Sequence, residues 1–310
     1  PEVLDSWFEA GSMPYGQLHY PFENREKFEK NFPGDYITEY IAQVRAWFNM
    51  MHRLSTALFG SHSFKNVVTT GVMAGNDGRK MSKTYENYTD PKEVLETIGG
   101  DSLRLYLMNS PLMLGGNANF DFTELQNKQR NVINPLWNSL KFFLIYAEHH
   151  RFKAGDGSKV PGSSNLLDKW IITRLHQTIK EFSENIESYL IPPAIQPIED
   201  FVDDLSRWYV RRSRERIAEN QEGALDTLYY VLYQLSKTAA PIIPFISEEL
   251  FQQLRKDDDV ISVHLAEYPI HDALLIEENR EVIEKMKQTR ELVSAILAVR
   301  VANQIAVRQP

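Results

Sequence analysis

The chain contains no cysteine. That absence removes disulfides, thiolate nucleophiles and cysteine-based zinc sites together. No apolar run approaches the roughly 20 residues that a membrane span needs. The opening PEVLDSWFEAG has neither the basic stretch nor the apolar stretch of a secretion signal, and a cytoplasmic protein fits best. Positive charge is in deficit, with 34 Lys and Arg against 42 Asp and Glu and a net charge of −8. A chain coated in basic charge for nucleic acid is excluded. A local basic face is not, because only charges within about a Debye length of a phosphate matter much. Internal repeats and low-complexity tracts are absent. The eight histidines, His149 and His150 among them, show no H-E-x-x-H or other ligand spacing, so no metal site is expected. An initiator Met is missing too: the chain begins at Pro1 and stops at Pro310, which predicts a natural protein longer at both ends.

What is present is the composition of a soluble globular protein. Of its 310 residues, 43% are hydrophobic and 25% charged, enough for two domains with cores of their own. The first third mixes strand and helix signals. Tyr36 to Phe59 reads as a long helix closed by Gly60. Lys65 to Met73, KNVVTTGVM, reads as a buried strand rich in β-branched residues. It runs into Ala74-Gly75-Asn76-Asp77-Gly78, a turn signal. Asp90-Pro91-Lys92-Glu93 then offers an N-cap, a Pro at the first helical position and a capping-box Glu. From about Phe122 the texture changes to long amphipathic helices: Leu125–Arg151, Leu166–Tyr189, Ala194–Asn220, Glu222–Ala239, Ile246–Arg255 and Glu277–Asn303. Phe152–Asn165 reads as a surface linker, and Asp257-Asp258-Asp259 as a solvated turn. The expected architecture is an α/β part, residues 1–121, followed by an all-α helical bundle, residues 122–310.

Chemistry concentrates first in Gly78-Arg79-Lys80-Met81-Ser82-Lys83-Thr84, between the strand and the capped helix. Two lysines three residues apart, with a hydroxyl between them and glycine before them, can close over a polyphosphate and neutralise charge on a departing pyrophosphate. Lysine suits this task as a compact point charge on a flexible stem. Such a loop at the carboxyl end of a strand also lies where open α/β sheets place ligands. A G-x-K-x-x-K pattern by itself is far more often just a solvated loop. The longer string Lys80-Met81-Ser82-Lys83-Thr84 is more specific, for it resembles the KMSKS signature of class I aminoacyl-tRNA synthetases, with Thr84 replacing the last Ser. The resemblance implies a loop (Lys80, Met81, Ser82, Lys83, Thr84) that stabilises ATP phosphates during aminoacyl-adenylate formation, Lys83 being the principal catalytic lysine and Lys80 its partner. ATP would enter as its Mg2+ complex. Asn87 matches an Asn that often follows the signature, whereas Glu86 stands where Gly is more usual.

Further segments point to the isoleucine branch of that family. Asp5-Ser6-Trp7-Phe8-Glu9-Ala10-Gly11-Ser12 resembles D-x-W-F-[DE]-S-G-S, where the catalytic fold resumes after its editing insertion. Glu39 to Phe48, EYIAQVRAWF, resembles E-G-x-D-Q-x-R-G-W-F. Glu39, Gln43, Arg45 and Trp47 fit; Tyr40, Ala42 and Ala46 depart. The resemblance places Glu39, Gln43 and Trp47 beside the aminoacyl-adenylate, while Tyr40 for Gly and Ala42 for Asp change how the ribose is met. Phe48 reads as core. Gly100 to Leu107 resembles a supporting helix, G-A-D-x-L-R-x-Y-L, with Asp101 and Arg104 spaced for a local ion pair. Phe201 to Arg216, FVDDLSRWYVRRSRER, resembles F-[IV]-D-D-L-S-x-W-Y-[IV]-R-R-S-R. Ala240 to Glu249 resembles A-P-x-x-P-F-[IL]-[AS]-E-E, and Val307-Arg308-Gln309-Pro310 resembles V-R-Q-P-L. Valine- and leucine-specific relatives, or a non-catalytic tRNA-binding module, are the alternative readings.

Between Arg207 and Arg216 there are five arginines and one glutamate. Helical spacing puts Phe201, Leu205, Trp208 and Tyr209 on one inward stripe and Arg207, Arg211 and Arg214 on another face. Guanidinium groups meet phosphate oxygens through paired hydrogen bonds and read no sequence. Arg207, Arg211, Arg212 and Arg214 are therefore the candidates for tRNA binding; a solvated face paired with Asp203, Asp204 and Glu215 is the plain alternative. The partners that the resemblance implies are isoleucine, ATP and tRNA(Ile), with a monomer expected. No HxGH string occurs in the chain, so it is expected not to form adenylate by itself.

Overall fold

The computed structural model describes residues 5–75, 77–79, 81, 84, 87 and 90–306. They divide into two compact units. The first comprises Pro1–Glu93, Leu107–Phe122 and Tyr189–Pro192, the second Val94–Tyr106, Thr123–Ser188 and Pro193–Pro310.

In the first unit, α1 (Ser6–Gly11) starts where the Asp5 carboxylate accepts the Trp7 N–H at 2.9 Å. Two short helices, α2 (Met13–Gly16) and α3 (Arg25–Asn31), lead to β1 (Gly34–Tyr40). A 3-10 turn (Ile41–Val44) and α4 (Trp47–Phe59) follow, then β2 (Phe64–Thr70) and β3 (Met73–Ala74). The long helix expected over Tyr36–Phe59 is thus a strand, a turn and a shorter helix. Ile37 and Thr38 are β-branched and flanked by Tyr36 and Tyr40, a strand composition. The partner that decides the matter, β2, comes two dozen residues later and is invisible to local periodicity. Gly60 does close α4, in the left-handed conformation at φ 65°.

β1 and β2 pair in parallel, Glu39 beside Thr69 and Tyr40 beside Thr70. The strand expected over Lys65–Met73 is present but broken at Gly71, and only Val68 of β2 is buried. A Cβ on Gly71 would stand 1.7 Å from the Gly116 carbonyl oxygen, so the backbones meet there as only glycine permits. The chain continues through α5 (Pro91–Thr97), whose Lys92 N–H is capped by Asp90 at 2.9 Å, and α6 (Gly100–Met108). β4 (Ala118–Asn119) then pairs in parallel with β3. Tyr20, Phe28 and Phe32 cluster with Phe59 of α4, with ring centroids between 4.1 and 5.9 Å apart.

The second unit is helical. α7 (Phe122–Lys128) passes through a π turn (Gln129–Ile133) into α8 (Asn134–His149). α9 (Leu166–Glu187) follows; then α10 (Ile191–Asp203) runs through a second π turn (Asp204–Val210) into α11 (Arg211–Ala218). α12 (Ala224–Ala239), α13 (Pro244–Leu254), α14 (Ala273–Glu278) and α15 (Arg280–Ala302) complete it. Trp170, Phe182, Phe201, Tyr209 and Phe251 are essentially inaccessible to solvent and form the core. Each contributes about 1.5–3 kcal/mol of apolar burial. α12 is buried nearly all round, as its run of Leu, Tyr and Val requires.

Two expectations need correction. Residues 152–165 are more than surface linker: Gly157 is buried against the Tyr233 ring, and its carbonyl accepts the Gln234 amide at 2.6 Å. Asp101 and Arg104 reach past each other to the same distant turn. Arg104 donates to the Ile242 and Pro241 carbonyls at 2.8 and 2.9 Å, and Asp101 accepts the Phe245 and Ile246 N–H groups at 3.2 and 2.7 Å. The Pro241 turn leaves backbone groups unpaired at the start of α13, and charged side chains satisfy them better than a local pair would. Burial raises the Asp101 carboxyl above its ordinary range, while the two N–H donors act against it.

Candidate functional site

The two parallel strands of the first unit end side by side at Tyr40 and Thr70. Each candidate ligand segment follows a strand of a parallel pair, Gln43 in the turn after β1 of the β1–β2 pair and the signature loop after β3 of the β3–β4 pair. Lys80, Ser82 and Lys83 lie outside the described residues; Met81 is half-buried and Thr84 exposed.

The base of the loop is well defined. Asp77 accepts the Arg79 N–H at 2.9 Å and its side-chain Nε at 2.7 Å. Asn87 donates from its amide to Asp77 at 3.0 Å and to the Arg79 carbonyl at 3.3 Å. The Gly75 N–H also donates to Arg79 O, at 2.8 Å. A Cβ on Gly75 would meet the Asn87 carbonyl oxygen at 2.4 Å. Asn87 and Gly75 thus fasten Arg79, just before the signature, to the residue that follows it. The hydrogen bond from Asn87 and those from Arg79 hold the Asp77 carboxyl down at about 2. The sequence reading gave Asp77 no role; its available signal was the Asp-Gly turn, in which Asp bonds the backbone two residues on.

The adenylate candidates come from one short segment. Glu39 is exposed at the end of β1 and accepts the Tyr40 N–H at 3.1 Å. Gln43 accepts the Trp47 N–H at 3.1 Å, capping α4 with its carbonyl oxygen and leaving its amide NH2 for other partners. Trp47 donates its indole N–H to the Ala10 carbonyl at 2.9 Å, so only its ring is available to a ligand. Phe48 is buried core.

In the second unit the arginine run is sorted into two kinds. Arg216 is turned inward. It grips Asp168 with two N–H groups at 3.0 and 2.7 Å, and Asp168 also accepts the Tyr209 hydroxyl at 2.8 Å and the Ser163 hydroxyl at 2.7 Å. Asp168 is fully buried. Burial and the adjoining carboxylate push the Tyr209 hydroxyl well above its ordinary value. Arg207 pairs with Asp203 at 3.1 Å and donates to Asn131 at 3.1 Å. Arg211, Arg212 and Arg214 are exposed, and no carboxylate among the described residues lies within ion-pair reach of them. Arg212 stands over the Trp208 ring at 4.8 Å and Arg214 over Phe142 at 5.9 Å, contacts that hold a guanidinium without occupying its N–H edge. Arg207 lies within the π turn and Arg211 starts the α-helix that follows it. Trp208, also in the π turn, is half-buried, where the period placed it inside.

Comparison with known proteins bears on the family and the fold. Residues 1–119 match the family model for tRNA synthetases class I (I, L, M and V), and residues 168–310 that for the anticodon-binding domain of tRNA ligase. Isoleucine–tRNA ligases of Protochlamydia amoebophila and Treponema denticola are 42% and 39% identical over the whole of this chain. That of Nocardia farcinica is 42% identical, again over the whole chain. The chain spans 29–30% of the length of these relatives. Among solved structures, the LeuRS of Agrobacterium radiobacter, in a ternary complex with tRNA and LeuAMS, superposes with a TM-score of 0.68 at 18% identity. The match covers 89% of this chain and 34% of that one, and shows a shared fold. The α/β start and the helical remainder are therefore those of one known architecture, and the chain belongs to the class I tRNA synthetases.

Proposed function

We propose that the complete polypeptide activates isoleucine with ATP and transfers it to tRNA(Ile) in the cytoplasm. In this reading, residues 1–121 supply the signature-loop part of the nucleotide site and residues 122–310 the tRNA-binding bundle. The observation that carries it is the signature string leaving the carboxyl end of a parallel strand pair, with its base closed by Asp77, Gly75 and Asn87. Identity with isoleucine–tRNA ligases along the full chain supports isoleucine over valine or leucine. No protein nucleophile is needed. The isoleucine carboxylate attacks the α-phosphate of ATP, an acyl–phosphate bond forms, and the bond to the bridging oxygen breaks as pyrophosphate leaves. Lys83, with Lys80, neutralises the charge gathering on that leaving group, and Met81, Ser82 and Thr84 shape the loop around the phosphates. Magnesium arrives with ATP as part of the substrate. Glu39, Gln43 and the Trp47 ring border the adenylate, and Arg211, Arg212 and Arg214, with Arg207, meet the tRNA backbone.

Isoleucine-dependent ATP–pyrophosphate exchange tests the reading. The complete polypeptide should exchange, and the 310-residue chain, which carries no HxGH string, should not. Exchange driven by valine or leucine in place of isoleucine would overturn the assignment.

A further inference from the structure

Asp203 and Asp204 immediately precede the basic run, yet neither faces it alone. Arg290 of α15 forms ion pairs with both, a short one to Asp204 and one of 3.5 Å to Asp203. Arg174 of α9 also binds Asp204, at 2.9 Å. Asp204 is buried, so its two arginine partners compensate a charge that water cannot reach. The Arg290 guanidinium also lies against two indoles, 5.7 Å from the centre of Trp170 and 5.6 Å from that of Trp208. Trp208 is the ring on which Arg212 rests at 4.8 Å. Arg290, Trp208 and Arg212 therefore form a continuous series from α15 to the exposed basic face. Arg290, Arg174, Asp203, Asp204 and Trp170 line an open groove of about 710 Å³.

We propose that Arg290 is a positioning residue for tRNA binding, an inference that rests on the RNA-binding reading of the arginine run. It acts in two ways without contributing a phosphate contact. Its charge offsets Asp203 and Asp204; without it Asp204 is left to Arg174, and Asp203 draws on Arg207 alone, beside the exposed arginines. Its guanidinium plane backs the Trp208 ring and so fixes the seat of Arg212. A freed carboxylate near a phosphate-binding arginine repels the same phosphate that the arginine attracts. At surface dielectric, that interaction amounts to about a five- to tenfold change in affinity.

The test is tRNA binding by the 310-residue chain at several salt concentrations, with helicity and melting followed by circular dichroism. Arg290→Gln should bind tRNA about five- to tenfold more weakly. Adding Asp203→Asn and Asp204→Asn to Arg290→Gln should restore affinity to within about twofold and return the salt slope to that of the parent. A direct phosphate contact by Arg290 predicts otherwise: the slope falls by about one unit and the carboxamide changes restore nothing. That result overturns the proposal, as does Arg290→Gln binding like the parent. Should the triple variant fail to fold, Asp203→Asn with Arg290→Gln decides by the same criterion, recovery of at least half the loss on a logarithmic scale. The underlying reading fails separately: a parent chain that does not bind tRNA, or binding indifferent to Arg211→Ala with Arg214→Ala, removes the RNA-binding face and this inference with it.

Discussion

The base of the signature loop and the arginine run are both organised around charged side chains, and the two are held in opposite ways. At the loop, the frame is backbone and small polar groups: Asp77, Asn87 and Gly75 close the base. At the run, the cations sit on the frame itself, a helix anchored by one of its own arginines through Arg216 and Asp168. The difference fits the tasks proposed for the two sites. A loop that must follow a departing pyrophosphate benefits from charge on a movable stem. A surface that must match a folded RNA benefits from guanidinium groups held still, here against Trp208 and Phe142.

The sharpest way to break this comparison is at the anchor. Asp168→Ala leaves Arg216 without its carboxylate in a buried setting and should destabilise the second unit by about 3–5 kcal/mol in chemical denaturation. A loss under ~1 kcal/mol, the range of exposed pairs, would mean that the inward arginine holds nothing. Next in size is the loop: Lys83→Ala in the complete polypeptide should slow isoleucine-dependent exchange by on the order of 10² or more, with isoleucine binding nearly unchanged. Asp77→Ala, which only loosens the base, should cost about tenfold in the same assay, because misplacement rather than charge is lost. An effect as large as that of Lys83→Ala would make Asp77 part of the chemistry.

The smallest expected effect is on pH. His176 is buried; its Nδ1 accepts the Asp272 N–H at 2.9 Å, and its Nε2 contacts the Tyr230 hydroxyl at 2.9 Å. Burial lowers its pKa, with Asp272 opposing and His271 assisting. The folded state then binds fewer protons than the unfolded one below the ordinary value of about 6.5. The contribution is fully present above about pH 6.5 and is lost as pH falls through the lowered folded value. The melting temperature should drop between pH 7 and pH 5, and His176→Gln should flatten that part of the profile. An equally steep profile in the variant would assign the dependence to other groups.

Much of this was legible in the sequence because it is local. The turn at Gly78, the cap at Asp90 and the ends of α9 and α12 follow from residues within one or two turns of each site. What local pattern could not show depends on partners far along the chain. β1 looked helical because local pattern does not show its pairing with the strand β2, and Arg104 looked paired to Asp101 because the Pro241 turn lies more than a hundred residues away. The arginine run was visible as composition. Its division into inward Arg216, paired Arg207 and open Arg211, Arg212 and Arg214 was not, because a π turn alters the phase and Asp168 arrives from another helix.

The exposed arginines are the part of the account most directly open to measurement. Binding of several tRNAs to the 310-residue chain should be measured against salt, for the parent and for Arg211→Ala with Arg214→Ala. The account predicts a steep inverse dependence on salt in the parent and a slope shallower by about two units in the variant. Affinity for every tRNA should fall by about the same factor, since backbone contacts carry no sequence information. An unchanged slope, or a loss confined to one tRNA, would contradict it.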